Sequence, residues 1–269
     1  MKAYNRIANI IEVSEKNESK RTKTLFIRIT EEKKLKSFLL IGQSNMAGRG
    51  DFGEVPEIIN PNCFMLRNGK WVPMSEPINP DRSIFNYFHS GRGLSASFAD
   101  EYAKHFNEDI GLIPCADGGT KLCQWMPGEI LYDNAVNNAK LAQRTSEIVG
   151  ILWHQGENDS HFEEDATTYQ QRFTQMITQL RKDLGNEKLP VIVGELGRFA
   201  KEYQNGKLKY MDIVNEALRT MPTVINNCGF VSSEDLTHRG DNIHFNSASY
   251  RIFGKRYFEE FLKLSVAEH

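Results

Sequence analysis

A serine that follows a short apolar run is the first residue of this chain whose position indicates chemistry. Residues 38–41 are apolar, and the chain continues with Gly42, Gln43, Ser44 and Asn45. An apolar run that breaks at a glycine is typical of a buried strand that ends in a tight turn. Serine is a weak nucleophile unless a base lies beside it, so Ser44 would need a partner from elsewhere in the chain.

Two histidines near the C-terminus are candidates for that base. His244 comes three residues after Asp241, and His238 comes three residues after Asp235, so both have the spacing Asp-x-x-His. We predict that His244 is the base, because a helix-capping Asn-Ser pair and an apolar helical stripe follow it and fix its backbone. His238 precedes an arginine and a glycine, where we expect an exposed turn, and a neighbouring cation lowers the basicity of a histidine.

A third polar cluster follows another apolar run, residues 148–153, and has the sequence His-Gln-Gly-Glu-Asn-Asp at 154–159. Polar clusters at the ends of several strands are typical of an active site at the carboxyl edge of a parallel sheet. Glu157 and Asp241 are both candidates for the carboxylate that orients His244. We favour Asp241, because a local turn can hold the imidazole whatever the other loops do, and Glu157 would then brace its own loop.

The same cluster does not predict a metal site. His154, Glu157 and His161 have side chains of metal-binding type, but their spacing is not His-Glu-x-x-His and no cysteine joins them. We predict instead that His154 is a buried imidazole that supports its loop. We expect neither a metal nor a cofactor.

Four blocks together resemble the SGNH hydrolase superfamily: Gly-Gln-Ser-Asn at 42–45, Gly-Gly-Thr at 118–120, His-Gln-Gly-Glu-x-Asp at 154–159 and Asp-x-x-His at 241–244. Within it they are similar to the branch that holds the sialate O-acetylesterases and the acetylxylan esterases of carbohydrate esterase family six. The resemblance runs from about residue 37 to the C-terminus. Met46 stands where the second glycine of Gly-x-Ser-x-Gly would be, which argues against an α/β-hydrolase.

The resemblance implies a three-layer α/β/α, flavodoxin-like fold and an esterase with a serine nucleophile. It also supports Asp241 as the orienting carboxylate, because Asp-x-x-His is the usual pairing in the superfamily, although some members of the branch use the glutamate at the position of Glu157. Most of the superfamily places an asparagine in the oxyanion hole. In this branch the glutamine at the position of Gln155 takes that place.

A serine esterase needs hydrogen-bond donors where negative charge develops on the carbonyl oxygen. The backbone N–H of Ser44 is free if Ser44 begins a helix. Gly118 and Gly119 allow the backbone to approach a ligand closely, and Gln155 offers a side-chain amide. A plain turn at the two glycines and structural hydrogen bonding by Gln155 are the alternatives. Trp125 follows the glycines closely and could stack on a sugar, wall a small acyl pocket or pack within its loop.

The function that the resemblance implies for these residues is removal of O-acetyl groups from a carbohydrate through an acetyl-enzyme intermediate. The substrate would be of the acetylated xylo-oligosaccharide or sialic acid type. One alternative is an esterase for a small ester that is not a sugar. Another is a catalytically silent carbohydrate-binding module on the same fold, which would not need a nucleophile and a base.

The elements that must position these residues alternate between strand and helix. This alternation predicts a parallel sheet with helices on both faces. Five apolar runs predict five parallel strands, at residues 38–41, 110–115, 148–153, 191–193 and 229–231. Three apolar stripes predict helices over residues 95–106, 169–184 and 250–262. Asn-Gly at 68–69, between two short runs, predicts an inserted β-hairpin over residues 61–74.

The first 36 residues lie outside the resemblance. We therefore predict an N-terminal extension, 1–36, and a hydrolase domain, 37–269. Two β-like pieces of the extension, 6–13 and 23–29, flank a polar turn and predict a hairpin. This hairpin would be either a solvated appendage or an arm through which two copies of the chain form a homo-oligomer.

Length and composition favour one large domain. The chain has 269 residues and a formal net charge of −2, which indicates no nucleic-acid partner. No apolar run approaches the roughly 20 residues of a membrane span, and the N-terminus does not have the pattern of a secretory signal. The four cysteines include no Cys-x-x-Cys pair. We expect a cytoplasmic protein with reduced cysteines whose partner is a small acetylated carbohydrate.

Overall fold

A single β-sheet forms the centre of the computed structural model, which describes residues 34–80 and 89–266. Its strands are β1 (Leu35–Gly42), β2 (Cys63–Arg67), β3 (Lys70–Pro73), β4 (Ile110–Pro114), β5 (Ser146–His154), β6 (Val191–Gly194) and β7 (Cys228–Val231). In the described residues they pair in the order β3-β2-β4-β1-β5-β6-β7. Every neighbouring pair is parallel except β2 and β3, which are antiparallel.

Helices follow most of the strands and cover the sheet. They are α1 (Ser44–Ala47), α2 (Leu94–Phe106), α3 (Ile130–Gln143), α4 (Glu163–Thr167), α5 (Tyr169–Asp183), α6 (Met211–Val224) and α7 (Ser247–Val266). Short 3₁₀ segments lie at residues 122–125, 159–161 and 198–202. None of the described helices has the length and apolar character needed to cross a membrane.

The side chains of β1 divide the core into two apolar layers, because alternate residues of a strand point to opposite faces of a sheet. Leu39 and Ile41 pack with apolar residues of α3, α5 and α6. Phe38 and Leu40 pack on the other face with residues of α2 and α7. All four side chains are at most 2% exposed. The strand is therefore buried on both faces, and the predicted three-layer α/β/α fold is confirmed.

The number of strands differs from the prediction, since the sheet has seven strands in the described residues rather than five. The five predicted runs correspond to β1, β4, β5, β6 and β7. The hairpin predicted over 61–74 supplies β2 and β3, and its turn has left-handed φ angles of 49° at Asn68 and 73° at Gly69. The hairpin does not stand apart from the sheet, because β2 pairs with the otherwise open edge of β4.

The three predicted helical stripes are confirmed as α2, α5 and α7. At the predicted N-terminal boundary, β1 begins at Leu35, two residues before residue 37. Leu35 and Lys36 pair with β5, and Lys36 also pairs with β4, so they belong to the central sheet. The hairpin and the association arm predicted for residues 1–36 otherwise lie outside the described residues.

Candidate active site

Three of the predicted polar clusters meet at one edge of the sheet. Ser44 follows β1, the Gly-Gly-Thr block at 118–120 follows β4, and the block at 154–159 follows β5. Since β4, β1 and β5 are adjacent and parallel, their carboxyl ends lie side by side. His244 lies in the segment between β7 and α7.

The turn after β1 requires a glycine at position 42. Gly42 has a φ of 134°, and a Cβ atom at this position would lie 2.2 Å from the carbonyl oxygen of His154. The next amide, that of Gln43, donates to the same oxygen at 2.9 Å. This close approach ends the strand and places Ser44 as the first residue of α1.

Ser44, His244 and Asp241 form a continuous hydrogen-bonded chain. Oγ of Ser44 lies 2.9 Å from Nε2 of His244. Nδ1 of His244 lies 2.7 Å from Oδ2 of Asp241. With the proton on Nδ1, the imidazole donates to the carboxylate, and Nε2 can accept the proton of the serine hydroxyl. The arrangement has the geometry of a nucleophile, a base and an orienting carboxylate.

The turn that holds Asp241 keeps its carboxylate ionised. Oδ1 of Asp241 accepts the backbone N–H groups of Ile243 at 3.0 Å and of His244 at 2.9 Å. Partial burial pushes the pKa of Asp241 upward, but the hydrogen bonds from the side chain of His244 and from these two amides outweigh burial and lower the pKa well below its usual range.

Glu157, the other candidate for the orienting carboxylate, lies in the interior and is 1% exposed. Its Oε1 accepts a hydrogen bond of 2.5 Å from Nδ2 of Asn45 and lies 3.7 Å from Nε2 of His154. Burial raises the pKa of Glu157, but its interaction with the neighbouring His154 and the hydrogen bond from Asn45 together outweigh burial, so the net shift of the pKa is downward. Within the described chain, the imidazole of His244 donates its hydrogen bond to Asp241 and makes none with Glu157.

Asn45 connects the nucleophile turn to the segment that carries the histidine. Its Nδ2 donates to the carbonyl oxygen of Ile243 at 3.0 Å, and its Oδ1 accepts the N–H of Phe245 at 3.3 Å. Oδ1 also accepts the hydroxyl of Tyr250 at 2.6 Å. Asn45 thus holds the backbone on both sides of His244. The sequence motifs assigned Asn45 no role of its own, and only its place next to Ser44 could have indicated one.

Backbone donors lie next to Ser44. The described part of the chain offers no hydrogen-bond acceptor to the amides of Ser44 and Gly118. A Cβ atom at Gly118 would lie 3.7 Å from Cβ of Ser44 and 2.5 Å from Nη2 of Arg49, so the backbone passes close to both side chains. Gly119 has a φ of 74° and forms the turn that follows. These two glycines border a cavity of about 350 Å³ that Arg49 and Asn79 also line.

The side chain of Gln155, predicted as an oxyanion donor, is fully buried. Its Nε2 donates to three acceptors: Oε1 of Gln43 at 3.2 Å, the carbonyl oxygen of Thr120 at 3.0 Å and Oδ2 of Asp159 at 2.6 Å. Its Oε1 accepts the hydroxyl of Tyr169 at 3.0 Å. The amide therefore joins three loops together, which favours the structural alternative over a contact with substrate.

Trp125, predicted to contact the substrate, lies in the core instead. The indole is 1% exposed and packs edge-to-face against Trp153, with ring centroids 5.7 Å apart. Its Nε1 donates to Oγ1 of Thr120 at 3.1 Å. An indole buried in this way offers no face to a sugar ring. Loop packing, the alternative from the sequence, agrees with this position.

His238, the histidine of the second Asp-x-x-His, does not contact Ser44. It is half-buried rather than fully exposed, and its Nδ1 accepts the amides of Gly240 at 2.9 Å and Asn242 at 3.2 Å. Its ring also contacts Phe199, with centroids 5.3 Å apart. His238 thus stabilises the turn that leads into Asp241.

Arg239 ties the same turn to the chain after the nucleophile. Its guanidinium donates to the carbonyl oxygen of Arg49 and lies 3.3 Å from Oδ1 of Asp51. Its Nε lies 3.9 Å from Oδ2 of Asp241. In the described ranges, no group of three or more His, Cys, Asp and Glu side chains has an arrangement that could hold a metal ion.

A three-layer α/β/α fold that carries these blocks at the carboxyl edge of its sheet defines a hydrolase of the SGNH type, as the sequence motifs implied. The chain belongs to the carbohydrate esterase family described as sialic acid-specific acetylesterase, whose family model matches residues 34–263. It is therefore a carboxylic ester hydrolase, and the resemblance inferred from the sequence is confirmed.

Known proteins agree with this assignment. A probable carbohydrate esterase from Arabidopsis thaliana is 31% identical over 229 residues, which are 78% of this chain and 84% of the plant protein. A crystal structure of an Arabidopsis thaliana protein has a TM-score of 0.77 at 27% identity and covers 86% of this chain and 98% of its own. The crystal structure of NanS has a TM-score of 0.70 at 17% identity, covering 88% and 100%, and shows the same fold.

Proposed function

We propose that this protein is a serine esterase that removes O-acetyl groups from a carbohydrate through an acetyl-enzyme intermediate. The observation that carries the proposal is the 2.9 Å contact between Oγ of Ser44 and Nε2 of His244. Membership of a carbohydrate esterase family supports an ester as the bond that is hydrolysed and a carbohydrate as the substrate. The bond between His244 and Asp241 supports the role of base, because it orients the imidazole towards Ser44.

In the first half of the reaction, His244 accepts the hydroxyl proton of Ser44 while Oγ forms a bond to the acetyl carbonyl carbon. The amides of Ser44 and Gly118 donate to the carbonyl oxygen as negative charge develops there. The bond between this carbon and the sugar oxygen then breaks. The sugar oxygen takes the proton from Nε2 of His244 and leaves, and the acetyl group remains on Ser44.

In the second half, water replaces the sugar. His244 accepts a proton from the water as its oxygen bonds to the acetyl carbon, and the same two amides stabilise the oxyanion. The bond to Oγ of Ser44 breaks, Oγ recovers the proton from His244, and acetate leaves. Asp241 stays ionised throughout and stabilises the imidazolium. Gln155 and Trp125 take no part in these steps, because both side chains are buried and already hydrogen-bonded within the protein.

The substrate would be an acetylated sugar of the xylo-oligosaccharide or sialic acid type. Acetate release from both types, and from an aryl acetate, tests the proposal with the wild-type enzyme. Release from an acetylated sugar supports it. Hydrolysis of the aryl acetate alone would favour the alternative of a small ester that is not a sugar.

A fluorophosphonate probe tests the nucleophile and the non-catalytic alternative together. Such a probe modifies an activated serine covalently. We expect labelling of the wild-type protein at Ser44 and none of the Ser44→Ala variant. A protein that binds acetylated sugars but neither reacts with the probe nor releases acetate would be a binding module.

A further inference from the structure

A second cavity adjoins the cavity beside Gly118. The first, of about 350 Å³, begins at Arg49 and Gly118, close to Ser44. The second has a volume of about 410 Å³ and leads towards the β2–β3 hairpin. Asn79, Pro80 and Ala116 line both. A substrate bound at Ser44 through the first cavity could therefore extend into the second.

Arg67, the last residue of β2, is the one charged side chain among the described residues that line the second cavity, and no Asp or Glu lines it in those ranges. Nη2 of Arg67 donates to the carbonyl oxygen of Pro77 at 2.8 Å, whereas Nη1 is buried and has no acceptor among residues 34–80 and 89–266. Burial lowers the pKa of the Arg67 guanidinium. Within the described chain no carboxylate forms an ion pair with it. A partly buried guanidinium that has no carboxylate partner is suited to bind the carboxylate of a ligand.

The other polar groups of the second cavity suit a sugar. Four asparagines line it, and carboxamides both donate and accept hydrogen bonds, as hydroxyl groups do. Oδ1 of Asn79 is buried and has no hydrogen-bond donor in the described part of the chain, so this wall also has an acceptor to offer. Ile130 lies on the rim with 80% of its surface exposed and offers an apolar contact to a ring. The four asparagines are Asn68, Asn79, Asn134 and Asn138.

We propose that the second cavity is a subsite for an acidic sugar, in which the guanidinium of Arg67 binds the carboxylate of the substrate. The proposal rests on the proposed function, which places the acetyl group at Ser44. It narrows the substrate to acetylated carbohydrates that carry a carboxylate. This carboxylate belongs either to a sialic acid or to a uronic acid on a neighbouring ring, and the two sources require different ligands.

Calorimetric binding to the wild-type enzyme tests the subsite independently of deacetylation. The probes are N-acetylneuraminic acid, a xylo-oligosaccharide that bears glucuronic acid, and the methyl ester of each. None carries an O-acetyl group, and each ester keeps the sugar while removing the charge. We expect at least one acid to bind about tenfold or more tightly than its ester, as is usual for a charge-assisted hydrogen bond. The acid that shows this preference identifies the source of the carboxylate.

Variants of Arg67 test whether this residue causes the tighter binding of the acid than of its methyl ester. Arg67→Gln should bring the dissociation constants of acid and ester close together, whereas Arg67→Lys, which keeps the charge but not the planar fork, should retain part of the difference. Arg144→Gln makes the same change at an exposed position at the other end of α3 and should keep the wild-type preference. The ratio of the dissociation constants of acid and ester, both measured on the same variant, is insensitive to a loss of folded protein.

Three results would overturn the subsite: no binding of either acid at millimolar concentration, equal binding of acid and ester by the wild-type enzyme, or an unchanged preference in Arg67→Gln. Failure of the esterase proposal looks different. In that case the acid would bind in an Arg67-dependent manner, but no acetate would be released from any carbohydrate. Release of acetate without a preference for the acid would leave the esterase proposal intact and refute the subsite alone.

Discussion

The carboxylate of Glu157 binds the side chain of Asn45, with 2.5 Å between Oε1 and Nδ2, and both side chains are buried. Asn45 in turn holds the backbone at Ile243 and Phe245, the neighbours of His244. Among the described residues, Glu157 is therefore linked to the segment of His244 through Asn45 and not by a direct hydrogen bond. Since Asp241 bonds the imidazole directly, the two carboxylates should have separable effects on turnover and stability.

We expect Ser44→Ala to lower kcat by at least about 10³-fold, because only binding and the oxyanion donors would remain to accelerate the reaction. The serine lies at a turn, so the variant should unfold at nearly the wild-type temperature. Aryl acetate hydrolysis and thermal unfolding measure the two quantities. A variant that keeps most of the wild-type rate would remove Ser44 from the mechanism.

We expect Asp241→Asn to lower kcat by up to about 10⁴-fold, since it removes the charge that stabilises the imidazolium and fixes its tautomer. Asp235→Asn is the matched control, because Asp235 is exposed and belongs to the other Asp-x-x-His, and it should keep the wild-type rate. Kinetics on an aryl acetate measure both. If Glu157→Gln abolished turnover while Asp241→Asn stayed active, the orienting carboxylate would be Glu157.

We expect Asn45→Ala to lower kcat by about 10²-fold, because a displacement of about 1 Å in a catalytic group can have an effect of this size. The variant loses the bonds on both sides of His244 and leaves the carboxylate of Glu157 without its donor. Asn186→Ala, at an exposed turn, serves as the control and should have little effect. An unchanged kcat in folded Asn45→Ala would show that other contacts suffice to position the histidine.

We expect Gly118→Ala to lower kcat by about 10² to 10³-fold, as the loss of an oxyanion donor does in serine hydrolases. The added Cβ would lie 2.5 Å from Nη2 of Arg49, so either the guanidinium or the backbone amide must move. Gly53→Ala is a suitable control, because its Cβ would have no neighbour within 4 Å. Equal rates for the two variants would argue against the amide of Gly118 as a donor.

We expect Glu157→Gln to reduce the free energy of unfolding at neutral pH by about 1 to 3 kcal/mol, the range for a buried hydrogen bond to a charged group. The pKa of Glu157 is lowered in the folded protein. Its contribution is therefore fully present above the unfolded pKa of about 4.3 and is lost as the pH falls through the folded pKa.

Denaturant unfolding between neutral pH and about pH 3, on either side of that unfolded pKa, measures this dependence. The difference in stability between wild type and Glu157→Gln should shrink towards the acid end. Glu187→Gln, at an exposed position, should follow the wild-type curve. A difference that stayed constant with pH would mean that the carboxylate charge of Glu157 does not contribute to stability.

Much of the fold could be predicted because its signals are local. The apolar runs of β1, β4, β5, β6 and β7 are strands buried on both faces, and such strands are continuously apolar in sequence. The turn of the hairpin was visible in Asn68 and Gly69, which accept left-handed φ angles readily. The pairing of β2 with β4 was not visible, because strand pairing depends on residues far apart in the chain.

The same division applies to the site. Residue types and local spacing were enough to predict the proposed reacting groups and the Asp241–His244 pair, whose three-residue separation makes their contact a property of one turn. Only the folded arrangement shows that Glu157 binds Asn45, 112 residues away, that the carboxamide of Gln155 is hydrogen-bonded through both its nitrogen and its oxygen, and that Trp125 is buried. The physical reason is that burial and long-range hydrogen bonds depend on how separate elements pack, which motif spacing does not encode.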